Sequence, residues 1–226
     1  MLHLTSFPSS MMRRLLTLLF ILPVAALGFA AKKSGKRKAP SSSTKGFGLT
    51  PPTFEDTVSK FRTRMPEDPD NQDCPCGTGK LYKDCCAPFH RGEPCTTTTD
   101  VLRSRYSAFS WRNAGHVIAT THETCRDYRE DKIAWAKSLN NGGMFDSYDF
   151  VKLQVGSEVL GADENEGFIE FKVTLRARDK TASDIEGQET VITENSRFLR
   201  DSEGTWSYAS GEVRSDVVGL DTIINN

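Results

Sequence analysis

Between Cys74 and Cys86 the chain sets four cysteines in thirteen residues, as a C-x-C pair, eight residues, and a C-C pair. One face of a helix recurs every three or four residues and one face of a strand every two, so neither element accounts for this spacing. A tetrahedral metal site does. Four soft thiolates select zinc over magnesium or calcium, and a closed set of four leaves no open position for a substrate. The stretch is read as a structural zinc site with Cys74, Cys76, Cys85 and Cys86 as ligands. Gly77 and Gly79 allow the backbone to fold tightly round the metal. Lys80 and Lys83 offset the negative charge that four thiolates leave on one divalent ion. His90 and Cys95 follow closely and stay open as substitute ligands.

The string is similar to the SEC-C motif, the small zinc module at the end of the SecA translocation ATPase. Cys74, Cys76, Gly77, Gly79, Lys83, Cys85 and Cys86 carry the resemblance, and Thr78 stands where serine is usual. Adjacent Cys85 and Cys86, and Cys74 and Cys76 one residue apart, suit neither close pair to a disulfide. Zinc also needs reduced thiolates, so a reducing compartment is expected.

Charge divides the chain. Residues 1–54 carry eight Lys/Arg and no acid, while residues 55–226 carry 21 Lys/Arg against 30 Asp/Glu. The acidic body argues against a nucleic-acid-binding surface. In the basic part, Arg13 and Arg14 precede an apolar run from Leu15 to Leu27, whose end, Ala26-Leu27-Gly28, places small residues at cleavage positions. That is the pattern of a signal peptide over 1–28, too short to span a bilayer at ~20 residues per helix. The mature chain is expected to have no transmembrane segment. Residues 29–54 are basic, rich in Ser and Ala, and unable to build a core. A signal peptide followed by a Phe-led basic segment resembles the two-part presequence of algae with secondary plastids. That resemblance implies a plastid location, with secretion as the alternative.

Residues 55–72 are read as a short helix and linker. Thr53 and Asp56 suggest a capping box, and Phe54, Val58, Phe61 and Met65 form one apolar stripe. The zinc module is placed at 73–95. After it, Thr99-Asp100 is read as opening a helix over Val101–Phe109, and Cys125–Leu139 as a second helix ending at Asn140-Asn141-Gly142-Gly143. Then the apolar period becomes two. Val151–Val155, Ile169–Leu175, Val191–Arg200 and Thr205–Gly211 read as four strands of a meander. Helices first and strands after make an α+β plan, in which a curved antiparallel sheet wraps round the helices.

Leu102 to Phe109, Thr121-His122, Glu194-Asn195-Ser196-Arg197-Phe198 and Gly204-Thr205-Trp206-Ser207-Tyr208 resemble the YchJ family. The resemblance covers about residues 73–213 and implies a SEC-C zinc knuckle followed by a cone-shaped domain like nuclear transport factor 2, here 96–213. Family members commonly carry a second knuckle at the C-terminus, and the tail at 214–226 shows none. Metal module and cone are expected to be independent units behind a disordered leader.

On the strand through Ile192 and Phe198, alternation turns Glu194 and Ser196 inward with them. A buried carboxylate needs a partner, and Arg105, at the edge of the first helix's apolar face, is the candidate. Arg105, Tyr106, Glu194 and Ser196, with His122, then form either a polar pocket for a small ligand or a buried ion pair that locks helix to sheet. No nucleophile–base pair at a diagnostic spacing accompanies them. The chain is expected to be a zinc-binding interaction module for another protein, with a small-molecule binder or enzyme as the alternative.

Overall fold

The computed structural model describes residues 51–141, 144–178 and 187–215. The expected signal peptide and nearly all of the basic leader, and the tail from residue 216, lie outside the described residues. The fold is α+β. Helices α1 (Phe54–Val58), α2 (Ala87–His90), α3 (Thr98–Trp111), α4 (Ala114–Ala119), α5 (Lys132–Asn141) and α6 (Met144–Ser147) precede strands β1 (Tyr148–Leu160), β2 (Glu166–Ala177), β3 (Glu189–Arg200) and β4 (Trp206–Ser215). The strands pair antiparallel in the order β1-β2-β3-β4. Among the described residues no helix is long and apolar enough to cross a membrane.

The sheet is curved by irregularities in register between Phe150 and Lys152, between Val155 and Glu158, and between Arg197 and Phe198. Such bulges bend a strand and increase its twist. Ile169, Phe171, Val173, Leu175 and Ala177 alternate inward on β2, and Ile192, Glu194, Ser196 and Phe198 on β3. Helix α3 lies against this inner face, in contact with β1, β2 and β4.

Three expected helix boundaries move, each for a local reason. Helix α3 begins at Thr98, because Thr97 and Asp100 close a reciprocal capping box; the run Thr96–Thr99 offers four similar hydroxyls, and only the one three residues before Asp100 satisfies both bonds. The second long helix starts at Lys132, seven residues later than expected. The Asp131 carboxylate accepts from the Ala134 amide at 2.9 Å, and residues before it turn back through the Tyr128 amide to the Cys125 carbonyl. Helix α1 has the Thr53–Asp56 capping box but stops at Val58. Beyond it the Arg64 amide and the Thr63 hydroxyl both bond the Trp111 carbonyl at 2.9 Å, so the backbone is committed to a neighbour. The apolar stripe still packs inward: Phe54, Val58 and Phe61 meet Ile118, Trp135 and Ala136.

The knuckle is not independent of the cone. Cys74, Cys76, Tyr82, Cys86 and Ala87 belong to the same buried cluster as Leu102, Tyr106, Phe171 and Phe198.

Candidate metal centre and cone interior

Two chain reversals build the knuckle. The Cys74 amide donates to the Lys80 carbonyl and the Tyr82 amide to the Gln72 carbonyl, both at 2.9 Å. Gly77 (φ 78°) and Gly79 (φ 73°) sit in the left-handed region that a side chain disfavours. A short 3-10 turn, Tyr82–Asp84, then delivers Cys85 and Cys86. All four sulphurs lie within 4.8 Å of one another. Cys76 Sγ is 3.4 Å from Cys85 Sγ, and Cys85 Sγ is 3.9 Å from Cys86 Sγ. A tetrahedron with ~2.3 Å metal–sulphur bonds has edges of ~3.8 Å, so the set fits one divalent ion.

Electrostatics point the same way. Hydrogen bonds from Cys74 and then Cys86 hold the Cys76 thiol far below its usual range. The reverse bonds, with burial, push Cys74 and Cys86 upward. A thiolate at Cys76 is thus favoured at the expense of Cys74 and Cys86, and a bound cation would let those two ionise as well. Thr78 Oγ1 lies 3.1 Å from Cys85 Sγ and 3.6 Å from Cys76 Sγ, a further donor to sulphur.

His90 and Cys95 are not part of the set. His90 Nδ1 meets Tyr82 Oη at 2.8 Å and its Nε2 meets the Ser104 carbonyl at 2.9 Å, which uses both ring nitrogens. Cys95 Sγ instead contacts Ser104 Oγ at 3.7 Å. These groups form the seam between knuckle and cone. His90 packs on His116 with ring centres 4.4 Å apart, His116 Nε2 reaches Ser104 Oγ at 2.9 Å, and Tyr82 meets Trp111 edge-on at 4.5 Å. Burial lowers the pKa of both histidines, so the rings pack as neutral groups. Arg103 completes the seam by donating to the Cys76 carbonyl at 2.8 Å. Sequence reasoning missed His116 and Arg103. The one available signal was Arg103 and Ser104 beside Tyr106 on the helix that faces the knuckle.

Inside the cone Glu194 is completely buried. Ser196 Oγ donates to its Oε1 at 2.6 Å and Tyr208 Oη at 3.4 Å, while Oε2 has no hydrogen-bond partner. Gly211 faces it: a Cβ there would stand 2.0 Å from Oε1. Burial pushes the Glu194 carboxyl up to about 8, against the lowering effects of Ser196 and Arg105. Arg105 donates to the Val117 carbonyl at 2.8 Å and to the Thr120 and Thr121 hydroxyls at 3.0 Å. Its guanidinium also stacks 4.7 Å over the Tyr208 ring. It acts on Glu194 through charge, with the Tyr208 ring between helix and strand. Tyr106 is buried, edge-on to Phe150, and its hydroxyl has no hydrogen-bond partner. His122 stands apart in a surface turn, with Nδ1 2.8 Å from Thr124 Oγ1.

A cavity of about 20 Å³ lies among Leu102, Arg105, Tyr106, Phe109, Phe150, Phe171, Val173 and Phe198. That volume holds about one water molecule. Glu194, Ser196 and His122 are not among its walls, whereas the buried Phe171 and Phe198 are.

Residues 97–211 match the family described as YchJ, middle NTF2-like domain, which is half of the chain. The chain belongs to the YchJ family. Residues 71–88 match the SEC-C motif. A UPF0225 protein of Vibrio vulnificus is 32% identical over 153 residues, covering 67% of this chain and 81% of the relative. A UPF0225 protein of Serratia proteamaculans is 31% identical over 139 residues, covering 61% and 81%. The crystal structure of a SEC-C motif-containing protein from Psychrobacter arcticus superposes with a TM-score of 0.50 at 22% identity, covering 66% of this chain and 87% of the other. That likeness concerns the fold alone.

Proposed function

We propose that this YchJ-family chain is a structural zinc protein in which knuckle and cone together present one docking surface to another protein. The observation that carries the reading is the closed cluster of four sulphurs, joined to the cone through a common core. Zinc suits four soft thiolates, and a saturated site holds backbone in shape rather than performing catalysis. Cys74, Cys76, Cys85 and Cys86 would hold the ion; Thr78 and Arg103 would orient the loop that carries Cys76. The rim at Gly77, Gly79, Lys80, Lys83 and Asp84 is exposed and offers backbone and charge to a partner. A small-molecule binder has less support, because the cavity that Arg105 and Tyr106 line among the described residues is the size of a water molecule.

Elemental analysis of protein purified under reducing conditions should return about one zinc per chain. Metal-free protein would overturn the reading. Affinity capture with wild type and with Cys85→Ser should recover different proteins, and identical sets would remove the docking claim. The leader supports targeting to a plastid. Residues 1–54 fused to a fluorescent protein should carry it there, whereas release into the medium would make the protein a secreted one.

A further inference from the structure

The sheet has two faces, and helix α3 packs on one of them. Ile169, Phe171, Val173 and Leu175 of β2 are buried on that side. Alternation turns Glu166, Phe168, Glu170, Lys172, Thr174 and Arg176 to the other side. The middle of this outer face is open among the described residues. Glu170 and Lys172 are exposed there on β2, and so are Glu212 and Arg214 on β4.

Strand register sorts these charges into two rows that run across the strands. Glu170 stands opposite Asn195, and Asn195 opposite Glu212. One step along the strands, Lys172 stands opposite Thr193, and Thr193 opposite Arg214. An acidic row and a basic row therefore lie side by side, about 7 Å apart at two residues of strand rise. None of the four charges makes an ion pair with another described residue. The ion pairs on this face, Glu166 with Arg197 and Arg176 with Glu189, stand toward its two ends.

Two opposite rows side by side are complementary to themselves. A two-fold axis that crosses the strands between the rows lays the acidic row of one copy over the basic row of another. Glu170 then faces the second copy's Lys172, and Glu212 its Arg214, with each pair made twice. The same rotation brings the end at Val159 and Phe168, which are register partners, over the second copy's Thr174 and Val191, also partners. Both valines are exposed. A surface of uniform charge would suit one row and be repelled by the other. Four strands ~4.8 Å apart and ~10 residues long span about 600 Å² in projection. Side-chain relief raises the accessible area above the projection, to the scale of the ~800 Å² that each partner of a stable interface buries.

We propose that the outer face of the sheet is the contact surface between two copies of this chain, joined face to face about a two-fold axis between the Glu170 and Lys172 rows. The strands of the two sheets run antiparallel across the contact, within about 30° of each other as aligned sheets pack. The cysteine cluster packs with α3 on the inner side, where Arg103 bonds the Cys76 carbonyl, and is left free in the dimer.

Sedimentation velocity of the full chain in reducing buffer tests this, and a dimer is expected. Glu170→Lys and Lys172→Glu each set like charges against one another twice, and each should raise the dissociation constant at least about tenfold. Mixed in equal amounts, the two variants should form a heterodimer, because two lysines of one chain then face two glutamates of the other. Misfolded chains would not recover in this way. The E170K/K172E double variant should dimerise as wild type does, and Lys137→Glu, exposed on α5, should change nothing. A monomeric wild type would overturn the proposal, as would one dissociation constant shared by wild type and both single variants. So would a monomer in which a carbodiimide joins Glu170 to a lysine of residues 29–54, since the leader would then be the occupant of the face.

Discussion

The knuckle and the interior of the cone both bury acidic groups, and they meet the cost by different means. In the knuckle, four thiols crowd within 4.8 Å. Mutual hydrogen bonding stabilises one thiolate at the expense of its neighbours, so full ionisation requires a cation. In the cone, Glu194 keeps one unpartnered oxygen and a nearby but shared Arg105, and its pKa rises to about 8. A proton neutralises it. Burial forces neutralisation in both regions, and geometry decides whether the neutralising species is a metal ion or a proton. Soft, convergent sulphurs accept an ion. An oxygen wedged against Gly211 and Tyr208 has no room for one.

Removing the cation should have the largest effect. Cys76→Ser, or a strong chelator with a reductant, should abolish metal content and destabilise the cone as well as the knuckle, since they share a core. Structural zinc contributes on the order of 10 kcal/mol in isolated small modules, enough to threaten the whole fold. Hydrogen exchange in α3 after metal removal measures the coupling. Unchanged protection there would separate the two regions and break the comparison.

A smaller effect is expected at Glu194. Unfolded, the carboxyl titrates near 4.5, and folded near about 8. Between those values the folded state keeps a proton that the unfolded state has lost. This group therefore makes stability fall as pH rises from about 4.5 to about 8, after which its contribution is constant. Glu194→Gln should flatten that fall and raise stability above pH 8 by a few kcal/mol. Urea unfolding across pH measures it. An unaltered slope in the variant would mean that Arg105, not a proton, balances Glu194.

The smallest effect should come from the link between the regions. Arg103→Ala removes the bond to the Cys76 carbonyl and should cost about 1 kcal/mol, with faster loss of metal to a competing chelator. A variant that keeps metal as well as wild type would show that the knuckle holds its shape without help from α3.

How much of this could be read beforehand varies with the range of the interaction. The cysteine spacing, the two glycines and the period-two strands are local patterns, and they led to the right elements because each is decided within a few residues. The inward turn of Glu194 and Ser196 follows from alternation alone. Helix ends were less legible. Thr97 was hidden among equivalent threonines, and α1 was cut short by Trp111, far along the chain.

The four cysteines and their Gly turns are determined by the sequence itself, because a closed ligand set within thirteen residues needs no distant partner to come together. Tertiary structure alone decided what surrounds them. His90 left the ligand set once Ser104 and Tyr82 occupied its nitrogens. Arg105 turned toward Val117, Thr120 and Thr121. Phe171 and Phe198 joined the buried cluster that knuckle and cone share. Each outcome depends on which side chains reach one another across the core, and that is set by packing rather than by spacing along the chain.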